Sequence, residues 1–173
     1  MDIFEVMANR RSCRKFSEEK VARAELEKIV LAGQEAPTAM NKQNLRFTVL
    51  RKQEDIAKLQ TALAKALDRP DYLGFYNAPN MILVSGPKDS INIFADTGCA
   101  MQNMMLAASA LGLGSCWINQ FREHCEHEAV RDLLKAFKIP EDHFVAAGLV
   151  VGKPQNGQGW GERANSSEVQ WIE

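Results

Sequence analysis

The longest helical pattern in the chain, from residue 91 to about residue 111, constrains the fold more than any other feature. Small residues recur along it, so that its side chains project little from the helix: Gly98, Ala100, Ala107, Ala108 and Ala110. The distance between packed helices depends on the side chains at their contact, so small residues let a neighbouring backbone come close. We therefore expect this helix either at the centre of the core or at the seam between two subunits.

The same region is not expected to cross a membrane. Its most apolar window, residues 95–113, contains Asp96, Gln102 and Asn103, which a membrane span does not easily hold without partners. The N-terminus lacks the basic stretch and apolar run of a secretory signal. The four cysteines form no CxxC pair, as is usual for reduced thiols. We therefore expect a cytoplasmic protein.

Short β-rich runs alternate with helical patterns over the rest of the chain. Strands are predicted at residues 47–50, 81–84, 115–118 and 144–151. Apolar residues at helical spacing predict four further helices, marked by Ile3, Val6 and Met7, by Leu26, Ile29 and Val30, by Ile56, Leu59, Leu63 and Leu67, and by Val130, Leu133, Leu134 and Phe137. Without repeats or an internal linker, this order predicts one α+β domain over residues 1–173.

Residues 153–173 form a C-terminal extension of that domain. They are rich in Gly, Gln, Asn and Ser, and they end in the apolar residues Val169, Trp171 and Ile172. A segment of this composition does not fold on its own and needs a surface to lie on. Either a partner subunit or its own domain could supply that surface.

A cluster of basic residues follows the first helix. The net charge of −1 gives no general attraction to nucleic acid or an anionic membrane, so any anion site has to be local. Arg10, Arg11, Ser12 and Arg14 lie within five residues. In an extended segment, Arg10, Ser12 and Arg14 would project to one side, where two guanidiniums and a hydroxyl could bind a phosphate. The alternative is a solvated basic turn.

The loop at residues 37–44 is the second candidate for ligand binding. Thr38, Asn41 and Gln43 can donate and accept hydrogen bonds, which suits a ligand with mixed polar edges such as a flavin. A capped helix end followed by a turn explains the same residues equally well.

Other chemistries find little support in the sequence. Residues 111–114, LGLG, end a helix instead of following a strand, so they are not a dinucleotide fingerprint. His124, Cys125 and His127 are too close in sequence to reach one metal easily, and we expect no metal site. No Ser or Cys has an evident His and carboxylate partner. An anion site without an acid, base or nucleophile is typical of an enzyme whose cofactor carries the chemistry.

Four segments together resemble the FMN-dependent nitroreductase family. Residues 10–16 have the sequence RRSCRKF, and residues 36–43 have the sequence APTAMNKQ. Residues 95–118 resemble the family's central helix and following strand, and Gly152-Lys153-Pro154 resembles its Gly-x-Pro after the last core strand. The order and spacing of these segments fit the family over nearly the whole chain.

The resemblance implies a nitroreductase-like α+β fold, with a central mixed β-sheet flanked by helices and a C-terminal extension that wraps a dimer partner. It further implies a homodimer with two FMN sites at the subunit interface. Residues of one subunit would hold the phosphate and the flavin's pyrimidine edge: Arg10, Arg11, Ser12 and Arg14. Thr38, Asn41 and Gln43 would reach the flavin from the other subunit.

Further site residues follow from the same resemblance. Asn119 and Gln120 would pass near flavin N5, and Arg163 or Lys153 would complete the phosphate site. No side chain is expected to act as a catalytic group, since flavin N5 carries the chemistry. Reduction adds electron density to the pyrimidine edge, so a nearby cation such as Arg14 would favour the reduced flavin.

The chain departs from the family pattern near the expected ring. Asn44-Leu45 replaces a frequent Pro-Trp, and Asn119-Gln120 replaces a smaller pair. No Asn and Lys pair matches the one that larger members carry in the segment that is here 69–74. The expected function is reduction of nitroaromatics, quinones or similar small molecules with NAD(P)H (NADH or NADPH). A flavin storage or sensor protein, and a dehalogenase or flavin-consuming enzyme on the same scaffold, remain as alternatives.

Overall fold

The computed structural model describes residues 2–155 and 167–173. Six helices are present in this part: α1 (Ile3–Asn9), α2 (Arg23–Gln34), α3 (Gln53–Ala66), α4 (Ile93–Ala110), α5 (Phe121–His124) and α6 (Glu128–Ala136). Four strands are present as well: β1 (Arg46–Leu50), β2 (Asn80–Pro87), β3 (Gly114–Ile118) and β4 (His143–Gly152).

The four strands form one sheet in the order β1-β2-β4-β3, and each neighbouring pair runs antiparallel. The predicted α+β fold with a sheet between helices is confirmed. The parallel pairing expected of a mixed sheet is limited, in the described residues, to an isolated bridge between Ser12 and Ser115. This bridge places the basic segment beside β3, which is an edge strand.

Helices cover both faces of the sheet because the side chains of each strand alternate between the faces. Met81 and Leu83 of β2 point into a core shared with α3, α5 and α6, where Phe121 is fully buried. Ile82 and Val84 point into a second core shared with α2 and α4. A strand buried on both faces has a continuous apolar sequence, which is why residues 81–84 could be predicted as a strand.

All four predicted strands and all five predicted helices are present, with bounds that differ by a few residues. The sequence did not predict α5 because four residues are too few to show a helical period. Helix α4 is the longest in the described part of the chain, and Met101, Met104 and Ala108 bury one of its faces. Gly98 lies on a face of α4 that is not packed: apart from the adjoining helix backbone, no atom lies within 4 Å of the position that a Cβ there would take. One face of helix α4 is therefore buried in the core, and the face around Gly98 is free of packing contacts within the described residues.

Within residues 2–155 and 167–173, none of the helices combines the length and apolar character needed to traverse a lipid bilayer. The last seven residues, 167–173, are all exposed. Their apolar side chains lie largely in solvent: Val169 is 73%, Trp171 84% and Ile172 90% exposed.

Candidate functional site

The basic segment that follows α1 is extended, as predicted, and is attached to the sheet. The backbone N–H of Cys13 donates to the carbonyl of Ser115 on β3 at 2.8 Å, and the N–H of Ser17 donates to the carbonyl of Lys153 at 2.9 Å. These bonds fix the segment between the start of β3 and the end of β4.

Side chains alternate along this segment. Cys13 is buried, whereas Ser12 and Arg14 on either side of it are exposed, and Arg10 is half-buried. The three predicted anion-binding side chains thus lie away from the core, as a strand-like backbone requires.

Arg10, Ser12 and Arg14 also converge on one buried group, the thiol of Cys116 on β3. Burial raises the pKa of Cys116, while the charge of Arg14, a hydrogen bond with Ser12 and the charge of Arg10 all act in the opposite direction. The bridge between Ser12 and Ser115, and the cleft that Arg10 and Ser115 both line, place this segment beside the start of β3.

Arg11 has a different environment from its neighbours. Its Nη1 donates to the carbonyl of Ala8 at 2.6 Å and to that of Arg10 at 2.9 Å, so the guanidinium covers the C-terminal carbonyls of α1. A small cleft beside it separates the ends of α1 and α4. Its lining includes Asn9, Arg10, Arg11, Ser109, Gly112 and Ser115.

Arg14 meets an aromatic residue that sequence reasoning missed. Its guanidinium carbon lies 6.0 Å from the centroid of the Tyr76 ring, and a hydrogen bond with Tyr76 is the main cause of a raised pKa of Arg14. Tyr76 belongs to the irregular segment between α3 and β2. No local pattern in the sequence could have paired it with Arg14, since the contact joins distant parts of the chain.

The loop at residues 38–43 holds its polar side chains in an internal network. The backbone N–H of Gln43 donates to Thr38 Oγ1 at 3.0 Å, and Gln43 Nε2 donates to Asn41 Oδ1 at 2.8 Å. The N–H of Ala39 donates to Oδ1 of the buried Asp96 at 2.9 Å, which ties the loop to the first turn of α4. The turn that the alternative interpretation expected is therefore present, although Thr38 makes no side-chain cap hydrogen bond to the short helix at residues 39–41.

The loop and the basic cluster lie at opposite ends of α4. Asp96 anchors the loop near the start of this helix, whereas Ser109 lines the cleft beside Arg10 near its end. Thirteen residues of α-helix separate them, or about 20 Å at 1.5 Å per residue. The two halves of the predicted site therefore do not meet within one chain.

Asn119 and Gln120 lie at the end of β3, with Asn119 exposed and Gln120 half-buried. The carbonyl of Asn119 accepts from the N–H of Arg122 at 3.0 Å, which begins α5. Asn119 follows Ser115 by four strand residues, or about 13 Å. Strand β3 thus carries the basic cluster at one end and the Asn119-Gln120 pair at the other.

Of the two basic residues expected to complete a phosphate site, Lys153 and Arg163, the structure describes only Lys153. The ammonium of Lys153 is paired with the carboxylate of Glu19, directly beside the basic segment. Arg163 lies outside the described residues.

The His and Cys residues after β3 lie in different environments. Cys125 is buried, and burial raises the pKa of its thiol to about 11. His127 is exposed, and its Nδ1 accepts from the N–H of Ala129 at 3.3 Å at the start of α6. In the part of the chain that the structure describes, no group of three His, Cys, Asp or Glu side chains could hold a metal ion.

This architecture, an antiparallel sheet between helices with a basic extended segment along its edge strand, is that of an α+β protein. Comparison with known proteins identifies its family. The model of the nitroreductase family matches residues 7–153, and the chain belongs to this family.

Individual relatives agree with that assignment. A protein from Archaeoglobus fulgidus whose name places it among the NAD(P)H nitroreductases is 31% identical over 160 residues, covering 90% of this chain and 87% of the relative. The NAD(P)H FMN reductase of Bacillus subtilis is 25% identical over 169 residues, and the matched region covers 88% of this chain and 66% of the reductase. A crystal structure of a nitroreductase with bound FMN from Bacteroides fragilis superposes with a TM-score of 0.93 at 27% identity, covering 100% of both chains.

Proposed function

We propose that this chain is an FMN-dependent oxidoreductase that takes electrons from NAD(P)H and passes them to electron-poor acceptors such as nitroaromatics or quinones. The observation that carries the proposal is the position of the extended segment with Arg10, Ser12 and Arg14 along the edge strand β3. Membership of the nitroreductase family and the FMN bound in a similar structure support it.

The residues beside the start of β3 fit a phosphate group. Arginine forks and a hydroxyl form charge-assisted hydrogen bonds to phosphate oxygens, and Arg10 and Ser12 are placed to supply them. Gly112 ends α4 with a φ of 72°, and the position of a Cβ there is open for 4 Å around, which leaves room for a ligand. Arg11 would add charge and fix the segment to α1. Lys153 and Arg163 would complete the phosphate contacts.

The residues farther along β3 fit the ring system. When bound, FMN supplies the electron transfer, through its N5 atom. Asn119 and Gln120 would line that atom, and the guanidinium of Arg14 would stand at the pyrimidine edge. A cation there stabilises the negative charge that reduction adds. No side chain has to act as an acid or base, so donor and acceptor only need to occupy the same exposed ring face in turn.

We also propose that the working unit is a homodimer. Thr38, Asn41 and Gln43 lie about 20 Å from the basic cluster of their own chain, so they would contact the flavin bound by the other subunit. Helix α1 exposes an apolar surface that a partner could cover: Ile3, Phe4 and Met7.

The C-terminal extension would wrap that partner. Val169 and Trp171 are two residues apart, so both side chains would face the same way in an extended segment. Strand β1 is an edge strand that could pair with it. A groove of about 540 Å³ beside β1 offers apolar side chains, among them Leu26, Val30, Leu31 and Val49. We propose that residues 1–173 act as one domain whose extension, 153–173, docks on a second copy.

A cytoplasmic location fits the cysteines. Cys13, Cys99, Cys116 and Cys125 are all free thiols, and free thiols persist in reducing compartments. We therefore place the enzyme where NAD(P)H and reduced thiols are both present.

Absorption spectroscopy and steady-state kinetics test the proposed function. The purified protein is expected to be yellow or to take up FMN, and to oxidise NADH or NADPH when a nitroaromatic is added. FMN should bind far more tightly than riboflavin, because the phosphate is the group that Arg10 and Ser12 hold. Equal affinity for both would contradict the phosphate assignment. FMN binding without turnover would instead indicate a storage or sensor protein.

A further inference from the structure

The segment between α3 and β2 brings an aromatic residue, Tyr76, to Arg14. The guanidinium carbon of Arg14 lies 6.0 Å from the centroid of the Tyr76 ring, and the Tyr76 side chain also forms a hydrogen bond with Arg14. Tyr76 is itself half-buried and packs against the core on the α3 side of the sheet. Its neighbour Phe75 is almost completely buried there. One side of the Arg14 contact is therefore anchored in the core.

The backbone at Tyr76 is unusual. Tyr76 and Asn77 have φ values of 56° and 53°, in the left-handed region that residues with a Cβ disfavour. Among residues 2–155 and 167–173, two neighbouring non-glycine residues share this conformation at only one other place, Met40 and Asn41. That place is the loop proposed to contact FMN from the partner subunit. Such backbone conformations concentrate at ligand sites, where the surrounding structure maintains them.

Arg14 needs such an anchor to act on the flavin. Its side chain is exposed, and a long exposed side chain samples many rotamers that binding would have to restrict. An aromatic face restricts a guanidinium in advance. Because the effect of a charge on the ring falls with distance, a fixed guanidinium tunes reduction more than a mobile one does.

We propose that Tyr76 is a positioning residue for Arg14: it holds the guanidinium so that its charge stands at the pyrimidine edge of FMN. This inference rests on the proposed function and extends it to the segment between α3 and β2. Tyr76 acts on the flavin through Arg14 and is not required to touch the reacting atoms.

A double-mutant cycle on the flavin midpoint potential tests the proposal. Wild type, Tyr76→Phe, Tyr76→Ala, Arg14→Ala and the double variant Arg14→Ala/Tyr76→Ala are saturated with FMN and measured against a reference dye. Arg14→Ala should lower the potential. Tyr76→Ala should lower it by part of that amount. Tyr76→Phe, which keeps the ring but loses the hydrogen bond to Arg14, should lower it by less than Tyr76→Ala does. In the Arg14→Ala background, Tyr76→Ala should cause no further shift, because Tyr76 acts only through Arg14.

Tyr72→Phe is the matched control. Tyr72 belongs to the same segment, and its buried hydroxyl has no hydrogen-bond partner among the described residues, so its removal should leave the potential unchanged. Urea unfolding of the apoproteins provides a readout without flavin. There, the effects of Arg14→Ala and Tyr76→Ala on the unfolding midpoint should be non-additive, as expected for residues in contact.

The outcomes separate the two proposals. A wild-type protein that takes up no FMN would overturn the proposed function and this role with it. A yellow wild type whose potential falls in Arg14→Ala but not in either Tyr76 variant would overturn the positioning role alone. An equally large Tyr76→Ala shift in both backgrounds would also overturn it.

Discussion

Arg10 and Arg14 are four residues apart on one extended segment, yet they have different surroundings. Arg10 lies in the cleft between the ends of α1 and α4, whereas Arg14 lies against Tyr76. In the proposed complex, Arg10 holds the phosphate and Arg14 stands beside the ring. Phosphate and ring are at opposite ends of FMN, so the two arginines should influence different properties.

Replacing each arginine by alanine tests this division. Arg10→Ala should weaken FMN binding by about 1.5–3 kcal/mol, the usual contribution of charged hydrogen bonds, and leave the potential of the saturated protein nearly unchanged. Arg14→Ala should lower that potential. Isothermal titration and redox titration measure the two effects. Lys58→Ala controls for loss of a cation, since Lys58 pairs with Glu54 on the exposed side of α3. A potential shift in Arg10→Ala as large as in Arg14→Ala would contradict the assignment.

At the scale of elements, buried or half-buried polar side chains connect segments that are distant in sequence. Asp96 joins α4 to the loop before β1 through the N–H of Ala39. The imidazole Nδ1 of His143 lies 3.2 Å from the hydroxyl of Ser85 and joins β4 to β2. Each contact positions a segment near the proposed ligand or supports the sheet beneath it.

Loss of the Asp96 carboxylate should destabilise the loop. Asp96→Ala leaves the N–H of the half-buried Ala39 without its acceptor, and the net contribution of such a hydrogen bond is about 0.5–1.5 kcal/mol. Urea unfolding measures this change, with Asp132→Ala on the exposed side of α6 as the control. FMN affinity should fall as well, since the loop carries Thr38 and Asn41. Unchanged stability and affinity would show that the loop conformation does not depend on Asp96.

His143 should make the stability of the β2–β4 pair depend on pH. Burial is the main cause of a lowered pKa of His143 in the folded protein, so the unfolded chain binds the proton more readily. Its contribution to stability is therefore present above the unfolded pKa of about 6.5 and is lost as the pH falls through the folded pKa. Urea midpoints between pH 8 and pH 5 should fall less steeply in His143→Gln than in wild type. His124→Gln controls for loss of an imidazole, and identical pH profiles of His143→Gln and wild type would contradict the prediction.

At the scale of the whole molecule, one chain leaves several apolar surfaces uncovered. The outer face of α1, the open surface of α4 near Gly98 and the residues at 169–172 are all accessible. Exposed apolar area of this extent marks interaction surfaces in soluble proteins. In the proposed dimer, a second subunit would also bring together the two halves of the site that α4 separates within one chain.

Sedimentation tests the dimer and the role of the extension. The wild type should sediment as a dimer at micromolar concentration. Trp171→Ser should shift the equilibrium toward monomer, because a large apolar side chain loses its contact with the partner. Gln170→Ser is the control from the same segment. A monomer that binds FMN with full affinity would refute this arrangement.

Apart from α5, the helices and strands and their approximate bounds could be predicted from the sequence alone. Helical spacing of Leu59 and Leu63, and the continuous apolar run at 81–84, are local patterns that follow directly from how helices and strands are buried. The alternation of Ser12, Cys13 and Arg14 could be predicted for the same reason. The resemblance of four segments to one family also pointed to the fold.

Only the tertiary structure decided which distant residues meet. The pairing of Arg14 with Tyr76 and the bond from Ala39 to Asp96 join residues far apart in the chain, and periodicity carries no information about such contacts. The length of α4 separates the loop at 38–43 from the basic cluster by about 20 Å, which sequence order does not reveal. The sequence determined which side chains face outward along each segment. The packing of the segments determined which of those side chains can act on one ligand.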